Sequence, residues 1–318
     1  MASSTLDASS THANTRRALE ASHRRYGEKA IKAFLAFCGV LSVAVTSAIV
    51  LSLLGPTVRF FSEIPISEFF TGTLWAPAFA TPSYGVWPIV VGSLMVVVIS
   101  STVAIPIGLL SAIYLSEYAP ERARRVIKPS LEVLEGIPTV ALGLFAFWFI
   151  RPAAEVALPF LPWQGPFSIG VAGLAVGLLI VPLVVSVSDD AMRAVPSALR
   201  EGAYALGASK FEVSLKVVFP AAISGIVAAV VLAGSRAVGE TMVVWLAAGA
   251  GNPNLNLDPT KGSQTMTSFI AGKATGDIPT GTVIYDTIFA VGMLLFVATL
   301  ILNSIAIRFV RRFREVYD

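Results

Sequence analysis

Charge is scarce in this chain. Only 14% of its 318 residues are Asp, Glu, Lys or Arg, where soluble domains carry about 25%. Beside a hydrophobic share of 55% and a mean hydropathy of +0.76, that scarcity excludes an ordinary soluble domain and implies a polytopic membrane protein. Cysteine is limited to Cys38, so no disulfide forms within the chain. Histidine is limited to His12 and His23 in a polar N-terminal stretch, which excludes a histidine metal site in the apolar part. No G-x-x-x-x-G-K-[ST] phosphate loop occurs, since Gly272-Lys273 is followed by Ala274; any ATP hydrolysis belongs to another polypeptide. The net charge of +3 is too small to point to nucleic acid.

Long apolar runs fill most of the rest. Six are long enough to span a bilayer, at roughly 30–54, 86–115, 130–151, 167–188, 220–248 and 282–308. Each is expected to be helical, because an open strand leaves peptide groups unpaired in lipid. Arg16, Arg17, Arg24 and Arg25 precede the first run. Arg122, Arg124, Arg125 and Lys128 fall between the second and third, and Arg193, Arg200, Lys210 and Lys216 between the fourth and fifth. Arg308, Arg311, Arg312 and Arg314 follow the last, while the opposite side holds only Arg59, Arg151, Lys261 and Lys273. Lys and Arg collect on cytoplasmic loops, so both termini are expected to be cytoplasmic. The resulting division is a disordered basic tail (1–29), a first helix with its outer loop (30–85), a core (86–309) and a short C-terminal tail (310–318). Phe69, Phe70, Trp75 and Trp87, at the edges of an outer loop, read as interface anchors.

Two charged residues interrupt the fifth run. Arg236 and Glu240 lie within PAAISGIVAAVVLAGSRAVGETMVVWLAA. A charge at mid-membrane depth costs at least about 2.5–3.5 kcal/mol, so such residues face a bundle interior or a wet path. Their spacing puts both on one helix face and allows them to pair. Gly136-Ile137-Pro138 is expected to break the third helix near its start and free backbone groups for the same path. Glu132 and Glu135 then fall in that helix's first turns, where acidic residues complement the dipole. Asp189 and Asp190 read as a solvated turn ending the fourth helix. A helix packing role for the Arg236/Glu240 pair is the plainer alternative.

Residues 195–220 form a separate pattern on the cytoplasmic side. Pro196 starts a short helix, Gly207 suits the left-handed turn that ends it, and Ser209 with Glu212 makes a capping box for a second helix. Pro220 stands where the chain enters the membrane. Spacing alone fits an amphipathic loop lying on the membrane equally well.

Glu201, Ala203, Gly207, Val217 and Pro220 resemble the EAA–Gly–hydrophobic–Leu-Pro signature of ABC importer permeases, with Gly202 where Ala is usual and Phe219 where Leu is usual. Glu135-Gly-Ile-Pro138-Thr-Val-Ala-Leu-Gly143-Leu, Arg236-Ala-Val-Gly-Glu240-Thr-Met and an outer loop with Phe69-Phe70-x-Gly72-x-x-Trp75 resemble the PstC-type permeases of phosphate ABC importers. The likeness runs from about residue 30 onward. It implies an all-α, six-helix, MetI-like type I permease core in the cytoplasmic membrane, without catalysis or cofactor. It implies coupling to an ATPase through residues 196–219, with Glu201, Gly202, Ala203, Gly207 and Pro220 carrying the contact. It also implies a path for inorganic phosphate lined by Arg236, Glu240, Thr241, Pro138 and Thr139. Implied partners are a PstA-type sibling permease, two copies of a PstB-type ATP-binding subunit and an external PstS-type phosphate-binding protein. Molybdate, sulfate or phosphonate is the near alternative substrate. An intramembrane enzyme acting on lipid-linked phosphate needs a nucleophile or metal constellation that the sequence does not offer. A passive channel has no use for the segment from Glu201 to Pro220.

Overall fold

A computed structural model describes residues 26–249 and 251–313. The basic stretch before Tyr26, with His12 and His23, and Arg314 lie outside the described residues. The chain divides into two compact units, Met1–Ser52 and Leu53–Asp318. The described part of the first is helical and belongs to α1, Tyr26–Glu63. It is apolar on every side, with Phe34, Leu35, Val40, Val43 and Leu51 all exposed. A helix without a polar face suits lipid rather than water.

The second unit contains, after the last turns of α1, α2 (Ile66–Thr71), α3 (Trp87–Ile113, extended by a π-helical turn at Tyr114–Tyr118) and α4 (Glu121–Glu135). Then come α5 (Thr139–Phe145), a π turn at Ala146–Ile150, α6 (Arg151–Ala157) and α7 (Ile169–Arg193). Next are α8 (Ser197–Ala205), α9 (Lys210–Glu212), a π turn at Val213–Val218 and α10 (Phe219–Ala221). Finally come α11 (Ile223–Gly239), α12 (Met242–Ala248), α13 (Met266–Ala274) and α14 (Val283–Phe313). Among the described residues there is no strand beyond two isolated bridges.

Helix α7 is the centre of the unit. Val171, Ala172, Ala175, Val176, Ile180 and Val184 are buried along it. It lies close to α3: a Cβ added at Gly173 would come within 2.7 Å of Ile99 Cβ. Lipid supplies no hydrophobic drive between helices, so small residues that bring backbones together hold such a pair.

Among the described residues, five helices are long and apolar enough to cross a membrane: Glu28–Glu63, Trp87–Tyr118, Thr139–Ala157, Ile169–Arg193 and Val283–Arg308. The pair Lys210–Ala221 and Ile223–Gly239, bent by 70°, adds a sixth when it is counted as one broken span. The first runs on to Glu63 rather than ending near 54, and the third and fifth also differ from the runs read in the sequence. The third begins at Thr139 rather than near 130, because Pro138 (ψ 128) holds the chain extended and has no N–H to continue a helix. Residues 121–135 are thereby left as the separate amphipathic helix α4. The fifth ends at Gly239 rather than 248, because Glu240 is extended (ψ 129) before α12 restarts the helix.

The outer loops are also more ordered than lone interface anchors require. Phe69 and Trp75 are buried in a cluster with Phe60, Tyr84 and Phe269, and the Trp75 and Phe269 rings meet edge to face at 4.9 Å. Gly72 and Gly85 touch so closely that a Cβ at Gly85 would lie 2.2 Å from the Gly72 backbone. Phe69 and Trp75 are thus core residues. Phe70 and Trp87 remain exposed, and the Trp87 indole donates to the Phe70 carbonyl at 2.6 Å.

Candidate functional site

The segment from Pro196 to Pro220 folds as its local signals direct. Pro196, extended at ψ 138, precedes α8. Gly207 adopts φ +84 after it, a left-handed geometry that a Cβ resists. Ser209 and Glu212 form the reciprocal capping box that opens α9. The Glu212 carboxylate accepts from the Ser209 backbone N–H at 3.1 Å and from Lys216 at 3.1 Å. Glu201, Gly202, Gly207 and Pro220 are exposed, and Ala203 is half-buried. Leu206 is 90% exposed and Phe211 64% exposed. The segment therefore presents a bare small-residue and apolar face on a charged stem.

Behind that face are two ion clusters. The Arg200 guanidinium, on α8, donates to the Val195 carbonyl at 2.7 Å, the Met192 carbonyl at 2.8 Å and Glu117 Oε1 at 3.2 Å. It thereby joins the ends of α3 and α7 to α8. Asp189 is fully buried and accepts from Arg124 at 2.6 Å and from Lys128 at 3.4 Å. Lys128 also pairs with Asp190. Asp189 is not part of a solvated turn, since α7 runs on to Arg193 and α4, packing beside it, brings the cations; Asp190 is exposed.

The breaks in the third and fifth spans meet as a pair. Gly143 of α5 lies against α12, where an added Cβ would be 3.2 Å from the Met242 carbonyl. Arg236, in the last turn of α11, does not pair with Glu240, because the helix ends between them. It donates instead to Glu135 Oε1 at 2.8 Å, and both side chains are about one-third exposed (35% and 33%). Glu240 is buried, and its Oε1 accepts the Val243 backbone N–H at 3.2 Å, capping the start of α12. Its carbonyl accepts from the Thr267 hydroxyl at 2.7 Å. Pro138 is exposed and Thr139 half-buried where α5 starts; Thr241 is half-buried, its hydroxyl donating to the Gly239 carbonyl at 3.1 Å.

Glu135 was missed as a partner. It was expected in a helix's first turns, complementing the dipole. It is instead the last residue of α4, where a carboxylate opposes the dipole and gains from a cation. The available signal was its place directly before the Gly-Ile-Pro break.

Residues 104–315 match the family described as "Binding-protein-dependent transport system inner membrane component". The chain is 33% identical over 285 residues to the probable ABC transporter permease protein YqgH of Bacillus subtilis, covering 88% of this chain and 89% of that protein. It is 28% identical over 286 residues to the phosphate transport system permease protein PstC of Mesorhizobium japonicum, covering 84% and 85%. It is 34% identical over 281 residues to PstC 1 of Mycobacterium tuberculosis, covering 77% and 82%. Among solved structures, a bacterial alginate ABC transporter in complex with its oligosaccharide-bound periplasmic protein matches with a TM-score of 0.61 at 14% identity, covering 91% of this chain and 98% of that one. The MetNI methionine ABC transporter matches with a TM-score of 0.53 at 19% identity, covering 73% and 95%. These two likenesses speak to the fold alone.

Proposed function

The chain belongs to the binding-protein-dependent transport system inner membrane component family, and we propose that this multi-pass permease subunit of an ABC importer moves inorganic phosphate across the cytoplasmic membrane by alternating access. The observation that carries the reading is the Arg236–Glu135 pair at the junction of two broken helices. Arginine stays charged and offers a planar set of donors suited to a tetrahedral oxyanion. Its partner carboxylate leaves it partly exposed, so an arriving anion displaces one acceptor rather than entering an empty charged site. Hydrogen phosphate also carries an O–H, which an ionised Glu135 accepts and which sulfate lacks. The relatives named as phosphate permeases support the same solute.

In this reading Glu240 and Thr241 hold the break open by capping and turning the chain, and Pro138 and Thr139 do the same across from them. The exposed face of Glu201, Gly202, Ala203 and Gly207, with Pro220 at the bend, receives a separate PstB-type ATPase, present in two copies. A PstA-type sibling permease completes the path, and a PstS-type external protein delivers phosphate.

The test is uptake by the complete reconstituted transporter. Arg236→Gln is expected to abolish phosphate uptake while the complex still assembles; normal uptake by that variant refutes the role given to Arg236. Uptake of sulfate or molybdate in place of phosphate by the parent protein refutes the solute.

A further inference from the structure

We propose that a cavity between the two outer loops receives an acidic side chain of the external binding protein, and that Lys273 is the residue it pairs with. This contact belongs to the delivery step proposed above and rests on it for the existence of an external protein.

Crossing count sets the side. Loops that follow the first and fifth of six spans share one face, and the Pro196–Pro220 segment, after the fourth, is on the other. Arg59, Arg151, Lys261 and Lys273 belong to that first face. Arg59 pairs with Asp286 at 2.9 Å, Arg151 with Glu155 at 2.7 Å and Lys261 with Asp258 at 3.4 Å. Lys273, half-buried, has no ion-pair partner among the described residues. Acid is close by in sequence, at Asp277. But α13 ends at Ala274, so Asp277 is off the helix face on which the two could meet.

Lys273 borders a cavity of about 110 Å³ whose wall also includes Trp75, Ala76, Pro77, Phe79 and Phe269. The wall is mostly apolar, with one cation. A free phosphate ion loses hydration at every oxygen there and meets a single charge in return, which is unfavourable. A glutamate or aspartate side chain suits both parts, since its methylene stem meets the apolar wall and its head meets the ammonium.

A second donor is also bare. Trp75 is 2% exposed, and its indole N–H has no acceptor among the described residues. Buried donors are nearly always bonded. One left unbonded in the wall of a cavity, beside a lysine without a counter-charge, marks the place of an acceptor that this chain does not supply.

The cavity is formed before anything enters it. The Trp75 backbone N–H donates to the Pro253 carbonyl at 2.9 Å and that of Ala76 to the Ser83 carbonyl at 2.9 Å, which fixes the two loops to each other. A preformed site spares a partner the cost of ordering it. The cavity also adjoins the break after Gly239. Helix α13 carries Phe269 and Lys273, and its Thr267 hydroxyl donates to the Glu240 carbonyl at 2.7 Å.

The experiment uses the whole transporter with its ATPase, sibling permease and binding protein. ATP hydrolysis is measured against the concentration of solute-loaded binding protein for the parent, Lys273→Gln, Lys273→Glu and Ala78→Trp. Ala78 is an exposed residue of the cavity wall, so the last variant fills the space without altering charge. The half-maximal concentration is expected to rise about tenfold in Lys273→Gln and further in Lys273→Glu, where like charges meet. It is expected to rise in Ala78→Trp as well, while hydrolysis without binding protein is unchanged in all three. Added salt should raise it more in the parent than in Lys273→Gln. A Lys273→Gln curve that overlays the parent's overturns the proposal, and so does an unchanged Ala78→Trp curve. Carbodiimide cross-linking read by mass spectrometry identifies the partner: a bond from Lys273 to a carboxylate of the binding protein supports the contact, and one to the sibling permease overturns it. Stimulation of the parent by inorganic phosphate alone, lost in Lys273→Gln, makes the cavity an oxyanion site and overturns the docking. The two readings fail separately. A parent that hydrolyses ATP no faster with loaded binding protein than without it removes the delivery step and this contact together. A stimulated parent beside unchanged variants removes the contact alone.

Discussion

The segment from Pro196 to Pro220 and the paired helix breaks use polar groups in opposite ways. In the segment, polar groups serve neighbours along the chain: Ser209 and Glu212 cap each other across three residues, and Lys216 adds one more turn. At the breaks, Arg236 reaches Glu135 across a sequence separation of 101 residues. The first arrangement folds a small surface from contacts within one turn. The second holds two long elements together by one pair of charges, so a change in either element opens it.

That contrast breaks most sharply at Arg236. Arg236→Gln is expected to abolish uptake, a loss greater than about 100-fold if the guanidinium is bound only as the ion passes, while assembly of the complex on affinity purification is unchanged. Next in size is Glu135→Gln. An exposed pair contributes about 0.2–1 kcal/mol, so removing it should raise ATP hydrolysis in the absence of binding protein by no more than a few-fold, read in a steady-state assay. A double-mutant cycle sharpens the point: Arg236 and Glu135 should show measurable coupling, and Arg236 with Glu240 none beyond error. Glu240→Ala should cost about 1 kcal/mol through the lost cap on α12, seen as a lowered melting temperature with the Arg236–Glu135 contact intact. Gly207→Ala, forced to hold φ +84, should cost about 1 kcal/mol and weaken ATPase binding in a pull-down.

The turns and caps of the segment from Pro196 to Pro220 were readable residue by residue. Pro196, Gly207 and the Ser209–Glu212 box each act within one turn, and the structure has them as expected. The paired helix breaks were readable only in part. The Gly136–Pro138 break was expected and found, because proline's missing N–H acts wherever the residue stands. The break after Gly239 was not, since no proline marks it and Glu240 looked like a partner for Arg236 on an unbroken helix. Asp189 had the same difficulty: two adjacent aspartates at a helix end resemble a solvated turn until α4 is laid beside them. Phe69 and Trp75 looked like anchors for the same reason, and became core once Phe269 met them from the other outer loop.

Hydropathy and punctuation along the chain were enough to establish a helical membrane protein and the turns between 196 and 220, because the bilayer demands long apolar helices and caps act on their own turn. The choice of Glu135 over Glu240 for Arg236, and the burial of Asp189, came from packing. Electrostatic partners are chosen by distance in space, and for residues a hundred positions apart that distance exists only after α4, α7 and α11 have been brought together.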